Sequence, residues 1–185
     1  QAASENNHVA VVKLLLADPR TDPSANNNNA IIKASDNGHY EVVRLLLDHP
    51  QTDPTARDNM AIQYASRYGH YEVVRLLLDR PHVNPADGDN RAIRFASSNG
   101  HTDIVELLLK HPHVNPAARD NHAIKFASQC GHTDIVKLLL EQTHVEPSAD
   151  NNYAIRHASE NGHTDVVELL LKHPRVNPAD GDNRA

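Results

Sequence analysis

One feature constrains this chain more than any other: it repeats itself every 31 residues. The pair Ala-Ile recurs at Ala30-Ile31, Ala61-Ile62, Ala92-Ile93, Ala123-Ile124 and Ala154-Ile155. A fixed period of this length marks stacked supersecondary units that bury their apolar faces against one another. The 185 residues divide into about six such repeats, covering 1–29 (partial), 30–60, 61–91, 92–122, 123–153 and 154–184. The chain starts within a repeat, so the whole is expected to be a single array taken from a longer one.

Each repeat reads as two short helices. In 61–91 the first is marked by Ala61, Ile62, Ala65 and Ser66, which fall on one helix face. All four are small or aliphatic, so a second helix can approach closely. An Asn precedes this helix at Asn28, Asn59, Asn90, Asn121, Asn152 and Asn183, and it reads as the N-cap. Gly38, Gly69, Gly100, Gly131 and Gly162 stop it as left-handed C′ residues, with Asn7 in the same place in the first repeat. The second helix carries Val73, Val74, Leu76, Leu77 and Leu78, and Thr102, Thr133 and Thr164 read as its N-caps in three repeats. Loops rich in Pro, Asn and Asp then connect to the next repeat as extended, hairpin-like turns. Neither helix is long enough to persist alone in water. Stability must come from neighbours, as in a helical solenoid.

Composition narrows the function. Lys and Arg number 18 against 24 Asp and Glu, a net charge of −6 that lacks the basic footprint of a nucleic-acid or membrane-surface binder. The single thiol, Cys130, forms no internal disulfide and no cysteine zinc site, which fits a reducing, intracellular (cytoplasmic) setting. No apolar run approaches the ~20 residues of a membrane-spanning helix.

The residues Met60-Ala61-Ile62-Gln63-Tyr64-Ala65-Ser66-Arg67-Tyr68-Gly69-His70, then Val73-Val74-Arg75-Leu76-Leu77-Leu78 and Pro81-His82-Val83-Asn84, resemble the ankyrin repeat, and the resemblance runs the length of the chain. It implies an all-α, ankyrin-type helical solenoid of paired short antiparallel helices with extended hairpin-like loops. The opening departs from the family's T-P-L-H. With its 31-residue period, this version is similar to the arrays abundant in large DNA viruses and amoeboid protists.

The resemblance also implies a non-enzymatic scaffold that grips a protein partner on a concave groove and loop tips. Side chains that vary between repeats mark that surface: Tyr64, Arg67, Tyr68, Phe95 and Phe126 on the helix face, and Arg91, His122 and Tyr153 at the tips. The rings read equally as interface anchors or as packing between repeats. Arg94, Lys125 and Arg156 form a second ladder that reads as solvated charge, with an acidic partner as the alternative. The alternative is a structural element whose repeats stack end to end, because neither terminal repeat departs from the internal apolar pattern and the segment 176–185 copies 83–92.

Catalytic, cofactor and metal sites are not expected. Every Ser, His and Asp of interest recurs as framework. His8, His39, His70, His101, His132 and His163 form a ladder, but packed helices lie about 8–10 Å apart, too far for neighbours to share an ion held at about 2.0–2.1 Å. Each is expected to bond the next repeat's backbone. Asn84, Asn115 and Asn177 sit in a context similar to ankyrin asparagines that become hydroxylated, yet His82, His113 and Arg175 replace the usual acidic neighbour. Fixing the turn through side-chain-to-backbone bonds accounts for them.

Overall fold

The computed structural model describes residues 1–177 and is all-helical over them. The helices are α1 (Ala2–Glu5), α2 (Val9–Leu16), α3 (Ala25–Asp36), α4 (Tyr40–Leu47), α5 (Ala56–Arg67), α6 (Tyr71–Leu78), α7 (Asp87–Ser98), α8 (Thr102–Leu109), α9 (Ala118–Gln129), α10 (Thr133–Leu140), α11 (Ala149–Glu160) and α12 (Thr164–Leu171). They fall into two compact units, Gln1–Gly88 and Asp89–Ala185. In the first, α3 packs on α1, α4 and α5, and α4 on α2 and α6. In the second, α9 packs on α10 and α11, and α10 on α8 and α12. Each unit is thus a stack of helical pairs, the packing of an ankyrin-type solenoid.

The core is the one that the period predicts. Ala61, Ile62, Ala65, Val73, Val74 and Leu77 are buried, and so are their counterparts Ala123, Ile124, Ala127, Ile135, Val136 and Leu139. Both helices of a pair supply large aliphatic side chains, such as Ile62 and Leu77, while the small Ala residues come from the first, so the layers close without aromatic filling.

The connection into each first helix differs from the expected cap. Asn26-Asn27-Asn28, Arg57-Asp58-Asn59, Arg119-Asp120-Asn121 and Asp150-Asn151-Asn152 are each three consecutive left-handed residues with φ between 53° and 60°. Gly88-Asp89-Asn90 does the same with φ of 64°, 58° and 59°. One left-handed turn therefore precedes the right-handed helix, closed by Asn59 N–H to the Thr55 carbonyl at 2.8 Å and by its counterparts. Asn and Asp tolerate this region better than other side chains, which explains the composition of the triplets.

The Asn consequently does not cap its own helix. Its Oδ1 reaches forward 25 residues and accepts a backbone N–H from the following loop. In the first unit the donors are Asp53 to Asn28 at 2.8 Å and Asn84 to Asn59 at 3.1 Å. In the second they are Asn115 to Asn90 and Glu146 to Asn121, both at 2.7 Å. These Asn are buried and serve as ties between successive loops. Asn183 and the copied segment beyond residue 177 lie outside the described residues.

The Thr N-caps need a similar correction. Thr102, Thr133 and Thr164 are the first helical residues; His101, His132 and His163 hold the cap position, and no side-chain cap bond forms. The His ladder also points the other way from expectation. His39 Nε2 donates to the Glu5 carbonyl and His70 Nε2 to the Asp36 carbonyl, each at 2.9 Å. In the second unit His132 donates to Ser98 at 3.3 Å and His163 to Gln129 at 2.9 Å. Each acceptor is the last residue of a first helix, whose carbonyl has no intrahelical partner. The imidazole thus bonds the preceding repeat, not the next one.

The glycine beside that carbonyl sits under the same ring. Gly38, Gly100 and Gly131 have φ of 71°, 82° and 76°, and a Cβ on them would lie 2.5 Å, 2.8 Å and 2.6 Å from the nearest atom of His70, His132 and His163. Asn7 adopts the same left-handed conformation, φ 56°. In the loops, Asn84 Oδ1 accepts Ala86 N–H at 3.1 Å and Asn115 Oδ1 accepts Ala117 N–H at 3.0 Å, the turn-fixing role read for these residues.

Candidate partner-binding surface

A constant framework leaves a small set of side chains free to differ. In the first unit these are Tyr64, half-buried, with Arg67 and Tyr68, both exposed. The Arg67 guanidinium lies over the Tyr68 ring, 5.3 Å from its centre, and Tyr68 leans on His70 with ring centres 6.4 Å apart.

The second unit assembles a more continuous surface. His122 stacks on Phe126 at 4.1 Å between ring centres, Phe126 meets Tyr153 at 5.8 Å, and Tyr153 meets His157 at 4.0 Å. Four rings from α9 and α11 form one row, all half-buried, and Arg91 and Phe95 are half-buried on α7. The row follows from register. Positions 122 and 153 are equivalent, as are 126 and 157, so α9 and α11 present the same two faces side by side. His157 is readable from that register, since it occupies the position of Tyr64, Phe95 and Phe126. Tyr153 is further fixed by donating its hydroxyl to Gln129 Oε1 at 2.8 Å.

Charge is arranged around the row. Lys125 is not a solvated cation: it is only 8% exposed, with Nζ 3.1 Å from Asp150 and 3.7 Å from Asp120, and it lies 5.4 Å over the Tyr153 ring. Its stem is buried while two carboxylates flank the head. Arg119 pairs with Asp89 at 2.9 Å, and Arg156 Nε donates to the Asn151 carbonyl at 2.9 Å. Arg94 is half-buried, and its Nε is enclosed without an acceptor. Burial first, then Arg119 and Arg91, pushes the Arg94 pKa below the ordinary guanidinium value. Burial, then Arg94, Lys125 and Arg119, lowers the His122 pKa to about 4, so this imidazole stays neutral near pH 7. Its Nδ1 is also enclosed without a partner.

Among the described residues no group of three or more His, Cys, Asp or Glu side chains converges on one point. No helix among them is long and apolar enough to cross a membrane. Cys130 is exposed and unpaired.

Comparison with known families agrees with the geometry. The family model described as "Ankyrin repeats (3 copies)" matches residues 1–89 and 79–151, and that described as "Ankyrin repeat" matches 150–183. No curated protein matches the chain. With the repeat register, the helical pairs and family models that span nearly its whole length, the chain belongs to the ankyrin-repeat family, whose repeats are generally non-enzymatic modules for protein–protein interaction.

Proposed function

We propose that the chain is a protein-binding scaffold and that the ring row of its second unit, His122, Phe126 and Tyr153 with Arg91 and Phe95, grips a segment of a partner protein. Tyr64, Arg67 and Tyr68 offer a smaller surface of the same kind on the first unit. The observation that carries this reading is the row itself. Stacked, half-buried rings occupy positions that vary between repeats, while the positions around them are constant. Rings already held in place lose little conformational freedom on binding, and aromatic and Arg side chains are the usual anchors of interfaces.

The test replaces two rings together. Peptides selected from a random display library on the intact chain should bind the Phe126→Ala, Tyr153→Ala variant with a loss above about 2 kcal/mol, roughly thirtyfold. Unchanged binding with a much lower melting midpoint would mean that the rings only pack.

A second reading, head-to-tail self-association, is favoured by one edge of the first unit. On α2, Val11, Leu14 and Leu15 are 46%, 74% and 44% exposed, whereas Val42 and Leu46, one repeat on from Val11 and Leu15, are buried to 0% and 1%. The exposed edge has the shape of an internal one, and the Leu171 side of a second copy is its natural cover, an arrangement that propagates because it does not close. Sedimentation velocity should show concentration-dependent association that Leu14→Glu removes. A monomer at all concentrations would rule this reading out.

A further inference from the structure

The second unit holds four cationic or basic groups around one patch, and three of them have visible compensation. Arg119 has Asp89, Lys125 has Asp150 and Asp120, and His122 avoids charge altogether by staying neutral. The enclosed Nε of Arg94 has no hydrogen-bond acceptor, and no carboxylate forms an ion pair with this guanidinium among the described residues. Asp89 acts on it only at longer range and is itself engaged by Arg119. A half-buried guanidinium facing other cations is unfavourable alone, and the geometry that would relieve it is a bidentate carboxylate. That position lies one repeat before the ring row, at the register of Lys125 and Arg156, so a segment lying along the rings brings a neighbouring residue to it.

We infer that the partner segment is acidic: it places an Asp or Glu carboxylate on Arg94 while an adjacent apolar or aromatic side chain packs on His122, Phe126 and Tyr153. The inference rests on the ring row being the binding surface. It adds the chemistry of the occupant, chosen by charge complementarity. The carboxylate supplies the missing counter-ion to Arg94, whose charged form burial and the neighbouring Arg119 and Arg91 disfavour. Chain-wide, the protein is acidic by six charges, so one uncompensated guanidinium at this position discriminates between partners in a way that net charge does not.

The probe is a display library of random peptides panned against the intact chain. Three variants are panned in parallel: Arg94→Gln, Arg94→Lys, and the double ring variant. Wild type should enrich peptides in which Asp or Glu stands beside Leu, Phe or Tyr. On Arg94→Gln the acidic enrichment should vanish while the apolar one remains. A selected acidic peptide should lose about tenfold or more on Arg94→Gln, and its Gln-for-Glu version should bind both proteins alike. Arg94→Lys should retain part of the preference, because charge survives without the fork. Melting curves of each variant check that the fold persists.

Enrichment without Asp or Glu, or an acidic preference that Arg94→Gln leaves intact, would overturn this inference while the ring-row reading stands. Peptides that ignore the ring variant, or no enriched peptides at all, would overturn both. If Arg94→Gln instead abolishes a dimer of the chain, the carboxylate comes from a second copy and the assignment to a separate partner is wrong.

Discussion

Gly131→Ala should cost the protein about 2–5 kcal/mol of stability, whereas Gly162→Ala should cost only about 1–2. Both glycines are left-handed, with φ of 76° and 73°, so both substitutions meet the Cβ penalty of that region, about 1–2 kcal/mol. They differ in what surrounds them. A Cβ at Gly131 would lie 2.6 Å from His163 Nδ1, but at Gly162 nothing lies within 4 Å. The ring cannot move freely, because its Nε2 is bonded to the Gln129 carbonyl at 2.9 Å. Either the bond breaks and leaves that carbonyl unpaired, or the repeats separate slightly, an overpacking cost of about 1–3 kcal/mol. Urea unfolding of the two variants measures the difference. Equal losses would mean that the imidazole contact carries no weight and that the glycine is selected for backbone conformation alone.

The second large effect runs in the opposite direction. Ser35, Ser66, Ser97 and Ser128 are 0% exposed, and none of their hydroxyls has a hydrogen-bond partner. A buried polar group left unsatisfied costs about 1–3 kcal/mol, and removing it altogether avoids that cost. Alanine at these positions leaves only the volume of one oxygen unfilled. Replacing all four should therefore raise stability by roughly 1 kcal/mol each, near 4 kcal/mol in total if the sites act separately. Thermal and urea unfolding of the fourfold variant test this. A neutral or destabilised variant would show that the hydroxyls find acceptors in solution.

What could be read from the sequence, and what could not, divides by the range of the interaction. Ile62, Val74 and Leu77 were identifiable as core because burial follows a local period, and Gly131 as a helix stop because a left-handed residue is a local demand. The role of Asn121 escapes the sequence for the same reason. The nearest use for an Asn before a helix is to cap it, but this one bonds Glu146 in the next loop, a partner set by stacking and not by spacing. The left-handed triplets were invisible to single-residue rules, since three such residues in a row are costly unless a tie holds them. His163 was assigned the correct kind of bond with the wrong neighbour, because a repeat pattern has no direction until the layers are stacked. Lys125 looked solvated, and only the tertiary structure brings Asp150 to it. Of the ring row, the residue types and their register at Phe126, Tyr153 and His157 are legible; the ring-to-ring contacts that join them are not, because they depend on how α9 and α11 pack.

The central claim is that a partner segment lies along the ring row. The most direct measurement places a photo-crosslinking residue at position 126 and, in a separate protein, at Lys137 on the exposed side of α10, then irradiates each with the peptides selected on wild type. Covalent adducts are expected from position 126 and none above background from 137. Adducts from 137 alone, or equal yields from both, would contradict that claim.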